Sequence, residues 1–556
     1  MSKAAVNSIP GRFLCRLGHQ LRSSYRRHRA TIANVADDIR SSQQPAPSLT
    51  PQPVPTKTYS ELPSPSGYPV FGTLPRFLAA GGVQHHHKYV SQLHQELGGV
   101  FRDNLAGMEL VFVSDPAAVK EVFAAEGQYP QHFIPQAWLL YNEERQMRRG
   151  IFFMDGEEWK RYRSVLNRRL LRPGPLLPHL PAVGRIADAL VDRWTSRFPH
   201  RPIPDLEREL YHWSLESLGV MILGDRLGLL SDAPQDAEEQ QRRADMMRFI
   251  EAIHGIFKET TALGTFPPAL ARVLRLPAWK RMVNSLDEAL ASGQALLSAG
   301  LRTSREVKGK GDDHHPPSLL DHLLHDDQLQ EHDIIPLLTD LFLAAADTTS
   351  YTAIWALYLL GRHPEAAQRL RQEVLDVTGG TGQVEGEHLA ALPYLKGVVK
   401  EALRMYPVAP FQTRVLQRNT NLLGYEVPAG SMIILSVYTM GRDPAVFPNP
   451  DCFYPDRWLR HAPASSGTSS CPFDSGPAAP RPHSHAFFPF GIGSRSCIGR
   501  RLAENELYML LAKLVARADL RVLNQVDMVI RMVGVTSQPL QLQVEPCTPA
   551  TATARH

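Results

Sequence analysis

The run Phe490-Gly491-Ile492-Gly493-Ser494-Arg495-Ser496-Cys497-Ile498-Gly499 sets one cysteine in a glycine-rich loop just ahead of an apolar helix. Glycine has no Cβ, so such a loop can turn tightly and bring backbone against a flat ligand. Amides near the start of the following helix favour a thiolate over a thiol. Arg495 offers a cation two residues before the sulfur. The combination is suited to holding a haem by its iron, with Arg495 against a propionate. A coordinated thiolate pushes electron density onto the iron and favours O–O cleavage.

Three further groups carry chemistry-bearing side chains. The apolar stretch Ile334 to Leu360 contains Ala344-Ala345-Ala346-Asp347-Thr348-Thr349, an acid and a hydroxyl in mid-helix that need a reason to be there. In Glu401-Ala402-Leu403-Arg404 the acid and the base stand three apart, on one helix face, where they can bond each other. Phe453-Tyr454-Pro455-Asp456-Arg457-Trp458 follows about fifty residues later, and Trp159-Lys160-Arg161-Tyr162-Arg163 puts an indole and a guanidinium on one face of another helix.

The pattern Phe-x-x-Gly-x-Arg-x-Cys-x-Gly, continued by Gly499-Arg500-Arg501, resembles the cytochrome P-450 family and in particular its mitochondrial branch. The resemblance spans about residues 60 to 545 and is most specific from Ile334 to Leu514. It implies a mainly α-helical haem-thiolate fold with a smaller β-rich region around a buried haem. Cys497 would ligate the iron, with Phe490 and Gly499 in the same loop, and Trp159, Arg163, Arg414 and Arg495 would bind the haem. Asp347 and Thr348 match the family's acid–alcohol pair, which holds and relays protons through water during oxygen activation. Ala345 departs from the family's usual glycine and narrows the groove beside that pair. Arg457 would join Glu401 and Arg404 in a buried network that fixes the cysteine loop. Lys396 and Lys400, four apart on the Glu-x-x-Arg helix, match a lysine pair with which mitochondrial members dock an acidic ferredoxin, and are expected to face solvent.

The chain has 556 residues, 43% of them hydrophobic and 21% charged, enough for a large core. Five cysteines at scattered spacings suggest a reducing compartment. Cys471, His483, His485 and Cys497 raise zinc as an alternative, but they lack the short paired spacings of structural sites. Residues 1 to 36 hold seven basic residues and no acid, interleaved with serine and leucine, which reads as a cleavable mitochondrial presequence within residues 1–40. Removing those seven charges from a net +4 leaves −3, so the basic balance reports an address and does not imply nucleic-acid binding. No apolar run in the first forty residues approaches the ~20 residues of a membrane span.

A Pro/Ser-rich linker is expected over 41–66, the catalytic domain over 67–545 and a disordered tail over 546–556. Val100 to Phe112 reads as a hairpin about Ala106-Gly107, and Asp115-Pro116 as a helix start. Thr265 to Met282 is amphipathic and basic, fitting either an anionic membrane surface or ordinary core packing. The histidine runs at 85–87 and 314–315 read as solvated loops, and Arg460 to Ala486 as a surface insertion. Apolar cavity walls are expected from Tyr129–Arg149, Thr265–Met282, Leu341–Ala345, Val408–Phe411 and Val535–Ser537, suiting a lipophilic substrate.

The resemblance implies a monooxygenase on the matrix side of the mitochondrial inner membrane, peripherally attached, taking two electrons from a ferredoxin with its reductase upstream. A steroid or sterol substrate follows from the same likeness. Leu343–Thr349 with Tyr406-Pro407-Val408-Ala409-Pro410 looks nearest to arthropod ecdysteroid-synthesis hydroxylases, the 2-hydroxylase among them. Two rivals are a haem-thiolate isomerase or lyase, which needs no external electrons, and a haem-binding gas sensor, which needs no proton relay.

Overall fold

The computed structural model describes residues 57–547 apart from positions 70, 106, 147–149, 232–235, 265–266, 310–315 and 460–483. The basic leader, the second histidine run, Cys471, His483 and nearly all of the 460–486 insertion lie outside the described residues.

The elements that build the site are, in chain order, helix α1 (His86–Leu97), strands β1 (Val100–Leu105) and β2 (Met108–Val113), helices α2 (Gly156–Leu170), α3 (Leu206–Leu223), α4 (Ala237–Leu263), α5 (Pro277–Gly309), α6 (Glu331–Arg362) and α7 (Pro393–Met405), strands β3 (Gln412–Val415) and β4 (Met432–Leu435), helix α8 (Arg500–Arg517), and strands β5 (Met528–Arg531) and β6 (Val533–Thr536). Helix α6 is central, packing on α3, α5, α7 and α8. Its Leu337, Leu338, Ala353, Trp355, Leu357 and Leu360 are all buried, so it is apolar around most of its circumference, as a helix enclosed on all sides must be.

The β region forms a four-stranded sheet in the order β1-β2-β4-β3. Strands β1 and β2 pair Val100 with Val113 through Leu105 with Met108, the expected hairpin. Strand β4 lies parallel to β2 and antiparallel to β3, which sets Arg414 opposite Ile433. Asp115 caps the helix at Pro116, its carboxylate accepting from the amides of Ala117 at 2.8 Å and Ala118 at 3.0 Å.

Two boundaries differ from the sequence expectation. The folded region begins before 67, because Lys57 bridges to Tyr425 and Leu62 is buried in the β-side core. At the other end Pro546 still pairs with Ala518, and the Cys547 amide donates to the Arg517 carbonyl at 2.9 Å. The histidine run at 85–87 is no solvated loop: His86 and His87 open α1, and His87 is fully buried, edge-on to Tyr438 at 4.6 Å. His87, Val90 and His94 share the inward face of α1, so helical periodicity overrides their polar composition. Burial pushes His86 down to about 4 and His87 to about 3, keeping both rings neutral and aromatic in use.

The connection from α7 to the cysteine loop is held by one buried carboxylate. Arg404 donates to Glu401 twice, at 2.9 and 2.7 Å, and Arg457 donates from Nε at 3.1 Å. The Trp458 indole and the Tyr454 amide complete the shell at 2.9 and 3.1 Å. Arg404 also donates to the carbonyls of Gly441, Pro450 and Cys452, so the pair anchors the chain from 441 to 458. Gly397 lets that segment approach, since a Cβ there would stand 2.6 Å from the Pro455 carbonyl oxygen. Burial alone pushes the Glu401 carboxyl up, but Arg404 and Arg457 more than offset it and hold the group below its usual range. Glu401→Leu strands two guanidiniums and is expected to cost about 3–5 kcal/mol, read as a lowered denaturation midpoint. Replacing Glu401, Arg404 and Arg457 together by apolar residues is expected to recover part of that loss.

Candidate active site

Helix α8 starts three residues after Cys497, and the loop before it doubles back so that the Cys497 amide donates to the Phe490 carbonyl at 2.7 Å. Gly491 and Gly493 hold φ of 73° and 78°, left-handed values that favour glycine. A Cβ at Gly493 would stand 2.6 Å from a Glu126 carboxylate oxygen. The Cys497 surface is turned inward: it lines a cavity of about 2260 Å³ rather than the outside of the protein. Burial pushes its thiol up, while the Gly499 amide and the Arg163 guanidinium pull it back.

Three of the expected cations line the same cavity. Arg163, on α2, donates to the Ser496 carbonyl, and its Nε is buried with no partner. Arg495 donates to the carbonyls of Pro130 at 2.9 Å and Met154 at 2.8 Å and to Asp155 at 2.6 Å, with its guanidinium 4.1 Å over the Trp159 ring. Arg414, on β3, bonds Glu126 and reaches the Ile492 carbonyl at 3.3 Å. Gly499 lines the cavity too, and a Cβ there would meet nothing within 4 Å. A thiol aimed inward, three guanidiniums, and room beside Gly499 and Phe490 fit a haem; Cys497 would hold its iron and Arg163, Arg414 and Arg495 its carboxylates. Among the described residues no cluster of histidine, cysteine and acid suits a metal ion, and of the zinc alternative only His485 and Cys497 are described.

Across the cavity runs α6. Thr348 lines the cavity, and its hydroxyl donates back to the Ala344 carbonyl at 2.8 Å. Ser350 and Thr352 make the same backward bonds at 2.6 and 2.7 Å. Such bonds bend helices, so this stretch of α6 carries a built-in distortion even with alanine at 345. With its proton given to the carbonyl, Thr348 presents lone pairs to the cavity. Asp347 is buried, its Oδ1 unpartnered, and burial reinforced by Glu207 raises its carboxyl to about 8. Glu207, on α3, accepts from the Tyr351 hydroxyl one turn beyond Asp347.

The cavity walls follow most of the expected segments, with corrections. Gln131 to Glu143, Leu341 to Ala345, and Val408 to Phe411 contribute, and so does the short helix Pro268–Val273. Val535–Ser537 does not: Val535 and Thr536 are buried elsewhere, and Ile530 and Met532, around the hairpin turn between β5 and β6, reach the cavity instead. Gly534 ties that hairpin down, its amide donating to Val408 at 2.8 Å and its carbonyl accepting from the Trp355 indole at 3.2 Å. The segment 265–282 divides between its two readings: Trp279 and Met282 are core, whereas Val273 and Leu274 are 67% and 52% exposed.

Lys396 and Lys400 are only half-exposed. Lys396 donates to the Ala390 carbonyl at 2.8 Å, and Lys400 sits 5.7 Å over the Trp458 ring, where burial lowers its pKa. Asp340 and Glu207 escaped the sequence reading. Asp340 interrupts an apolar run two turns before Thr348, which was a usable signal; Glu207 is placed only by tertiary packing of α3 on α6.

The chain matches the cytochrome P450 family over residues 62–546. It is 35% identical over 509 residues to cytochrome P450 315a1, mitochondrial, of Drosophila melanogaster, covering 88% of this chain and 89% of that protein. It is 30% identical to the mitochondrial cholesterol side-chain cleavage enzyme of Oncorhynchus mykiss, over 84% and 87% of the two chains. It is 33% identical to the mitochondrial 25-hydroxyvitamin D-1 alpha hydroxylase of Rattus norvegicus, over 83% and 88%. With the inward-facing Cys497, the cationic rim and a family match spanning almost every described residue, this chain belongs to the cytochrome P450 family, haem-dependent monooxygenases.

Proposed function

We propose that this monooxygenase hydroxylates a steroid or sterol, an ecdysteroid precursor, on the matrix side of the mitochondrial inner membrane, with electrons from an acidic ferredoxin. The observation that carries the reading is the large, mostly apolar cavity that runs from Cys497 past Thr348 to the Pro268–Val273 helix. A lipophile loses water-exposed apolar area by entering such a space, which favours binding roughly in proportion to the area buried. The names of the similar proteins, which include a sterol 26-hydroxylase of Rattus norvegicus at 30% identity, point to the same substrate class.

Haem, when bound, supplies the activation of dioxygen. The chain's own residues supply position and protons. Cys497 would hold the cofactor's iron, and Arg163, Arg414 and Arg495 would neutralise its carboxylates. Thr348, its hydroxyl proton held by Ala344, accepts a hydrogen bond from a water in the cavity. Asp347, the residue before Thr348, does not itself line the cavity; burial raises its carboxyl to about 8, so it holds a proton near neutrality on the same turn of α6. This pair favours oxygenation over the isomerase and sensor alternatives, which have no use for a proton relay.

No described helix is long and apolar enough to cross a membrane. Val273 and Leu274, flanked by Arg272 and Arg275, form an exposed apolar and basic point of contact for an anionic surface. The half-exposed Lys396 and Lys400 offer two cations on one face of α7, directly above the Glu401 cluster that leads to the Cys497 loop.

Reconstituted with a mitochondrial ferredoxin and its reductase, the enzyme is expected to add one oxygen to 2-deoxyecdysone, read by mass spectrometry; no oxygenated product from any steroid or sterol would overturn the reading. Product formed per electron consumed is expected to fall as pH rises through about 8, where Asp347 loses its proton. Asp347→Asn abolishes that pH dependence and lowers coupled turnover by about 100-fold. Lys396→Gln with Lys400→Gln is expected to raise the half-saturating ferredoxin concentration about tenfold and to flatten its salt dependence, leaving the substrate-induced spin-state change intact.

A further inference from the structure

Asp340 is an acid in the wall of an apolar cavity, four residues before Ala344 and eight before Thr348, both of which line the same space. Its Oδ2 accepts from the Phe152 amide at 3.0 Å. Gly150 packs over the carboxyl so closely that a Cβ there would stand 2.1 Å from it. Backbone at 150–152 thus clamps one edge of the group, and no cation among the described residues pairs with it. Structural carboxylates buried for stability are paired or fully hydrogen-bonded. This one has a single recorded bond and a face on the cavity.

We infer that Asp340 is the polar anchor of the substrate cavity, accepting a hydrogen bond from a hydroxyl on the lipophilic substrate and setting which end of the molecule lies near Thr348. The helical rise puts the two residues about 12 Å apart along α6, so the anchored hydroxyl lies well away from the carbon that reacts. Only a stiff, elongated molecule transmits such an anchor to the reacting end, as a fused-ring skeleton does. Burial raises the Asp340 carboxyl to about 7, so both protonation states are populated near neutrality. A hydroxyl can donate to the ionised form and accept from the acid form, whereas a ketone suits the acid alone and an ammonium the carboxylate alone. The inference rests on the steroid or sterol reading above and narrows it to hydroxylated members of that class.

The test is a spin-state titration of the haem-loaded protein with pairs of steroids that differ by one hydroxyl distant from the oxidised carbon. The wild type is expected to prefer the hydroxylated member of at least one pair by about 10-fold to 100-fold. Asp340→Leu is expected to erase that preference while leaving affinity for the deoxy member within about threefold, since apolar contact is retained. Equal loss of affinity for both members, or an unchanged preference, would overturn the inference and leave Asp340 as a clamp for the 150–152 backbone. If no steroid shifts the spin state of the wild type, the substrate reading itself fails first. Should Asp340→Leu not retain haem, infrared difference spectra of the wild type decide: a carboxyl band, assigned by its loss in Asp340→Asn, shifts with the hydroxylated steroid alone. No such shift would overturn the inference equally.

Discussion

The ionised Glu401 side chain, out of water and ringed by two guanidiniums, an indole and a backbone amide, is the interaction on which the placement of everything else depends. It belongs to α7, yet most of its donors come from 453–458, and Arg404 extends the grip back to Gly441. Between β4 and Leu459 the described chain holds only two short helical turns, at Val437–Met440 and Pro455–Trp458. A buried charge with every lone pair engaged is directional in a way that apolar packing is not, and it gives this stretch one arrangement. Trp458, bonded to Glu401, packs on Phe487 at 4.4 Å, so this cluster touches the residues that lead into the cysteine loop.

Desolvation then acts on two groups, Cys497 on the cavity wall and Asp347 buried beside Thr348 on α6. It disfavours the thiolate of Cys497, which the Gly499 amide and Arg163 counteract, and it disfavours the carboxylate of Asp347, which nothing counteracts. One group thus has guanidiniums and a backbone amide beside it, and the other has only the like charge of Glu207. Low polarity raises both groups, and only the thiol has neighbours that pull it back.

Much of this was legible from residue types and spacing. The cysteine loop, the Asp347–Thr348 pair, the Glu401–Arg404–Arg457 set and the hairpin at 100–113 all have local signatures, and local signatures survive without knowledge of the fold. What was not legible depended on which surface meets which. The histidines at 86 and 87 look like solvent on composition and are core because α1 turns that face inward. A wall was expected at Val535–Ser537, but Ile530 and Met532 reach the cavity instead, because the docking of this hairpin on Trp355 and Val408 decides which of its residues face inward. Lys396 and Lys400 share the predicted face, yet their neighbours Ala390 and Trp458 draw them partly down, which no spacing rule reports.

The anchoring of that hairpin has a consequence for the range of molecules the protein can receive. Gly534 is bonded to Val408 and to the Trp355 indole, and that indole is stacked on Tyr406 at 4.1 Å. Three stretches far apart in sequence are therefore welded into one stiff plate, and Ile530, Met532 and Val408 present a fixed contour rather than a yielding one. The wall at the short Pro268–Val273 helix is built differently, with Val273 and the neighbouring Leu274 exposed on its outer side. The wall pinned by these bonds and stacked rings is the part of the cavity whose shape a guest has to match.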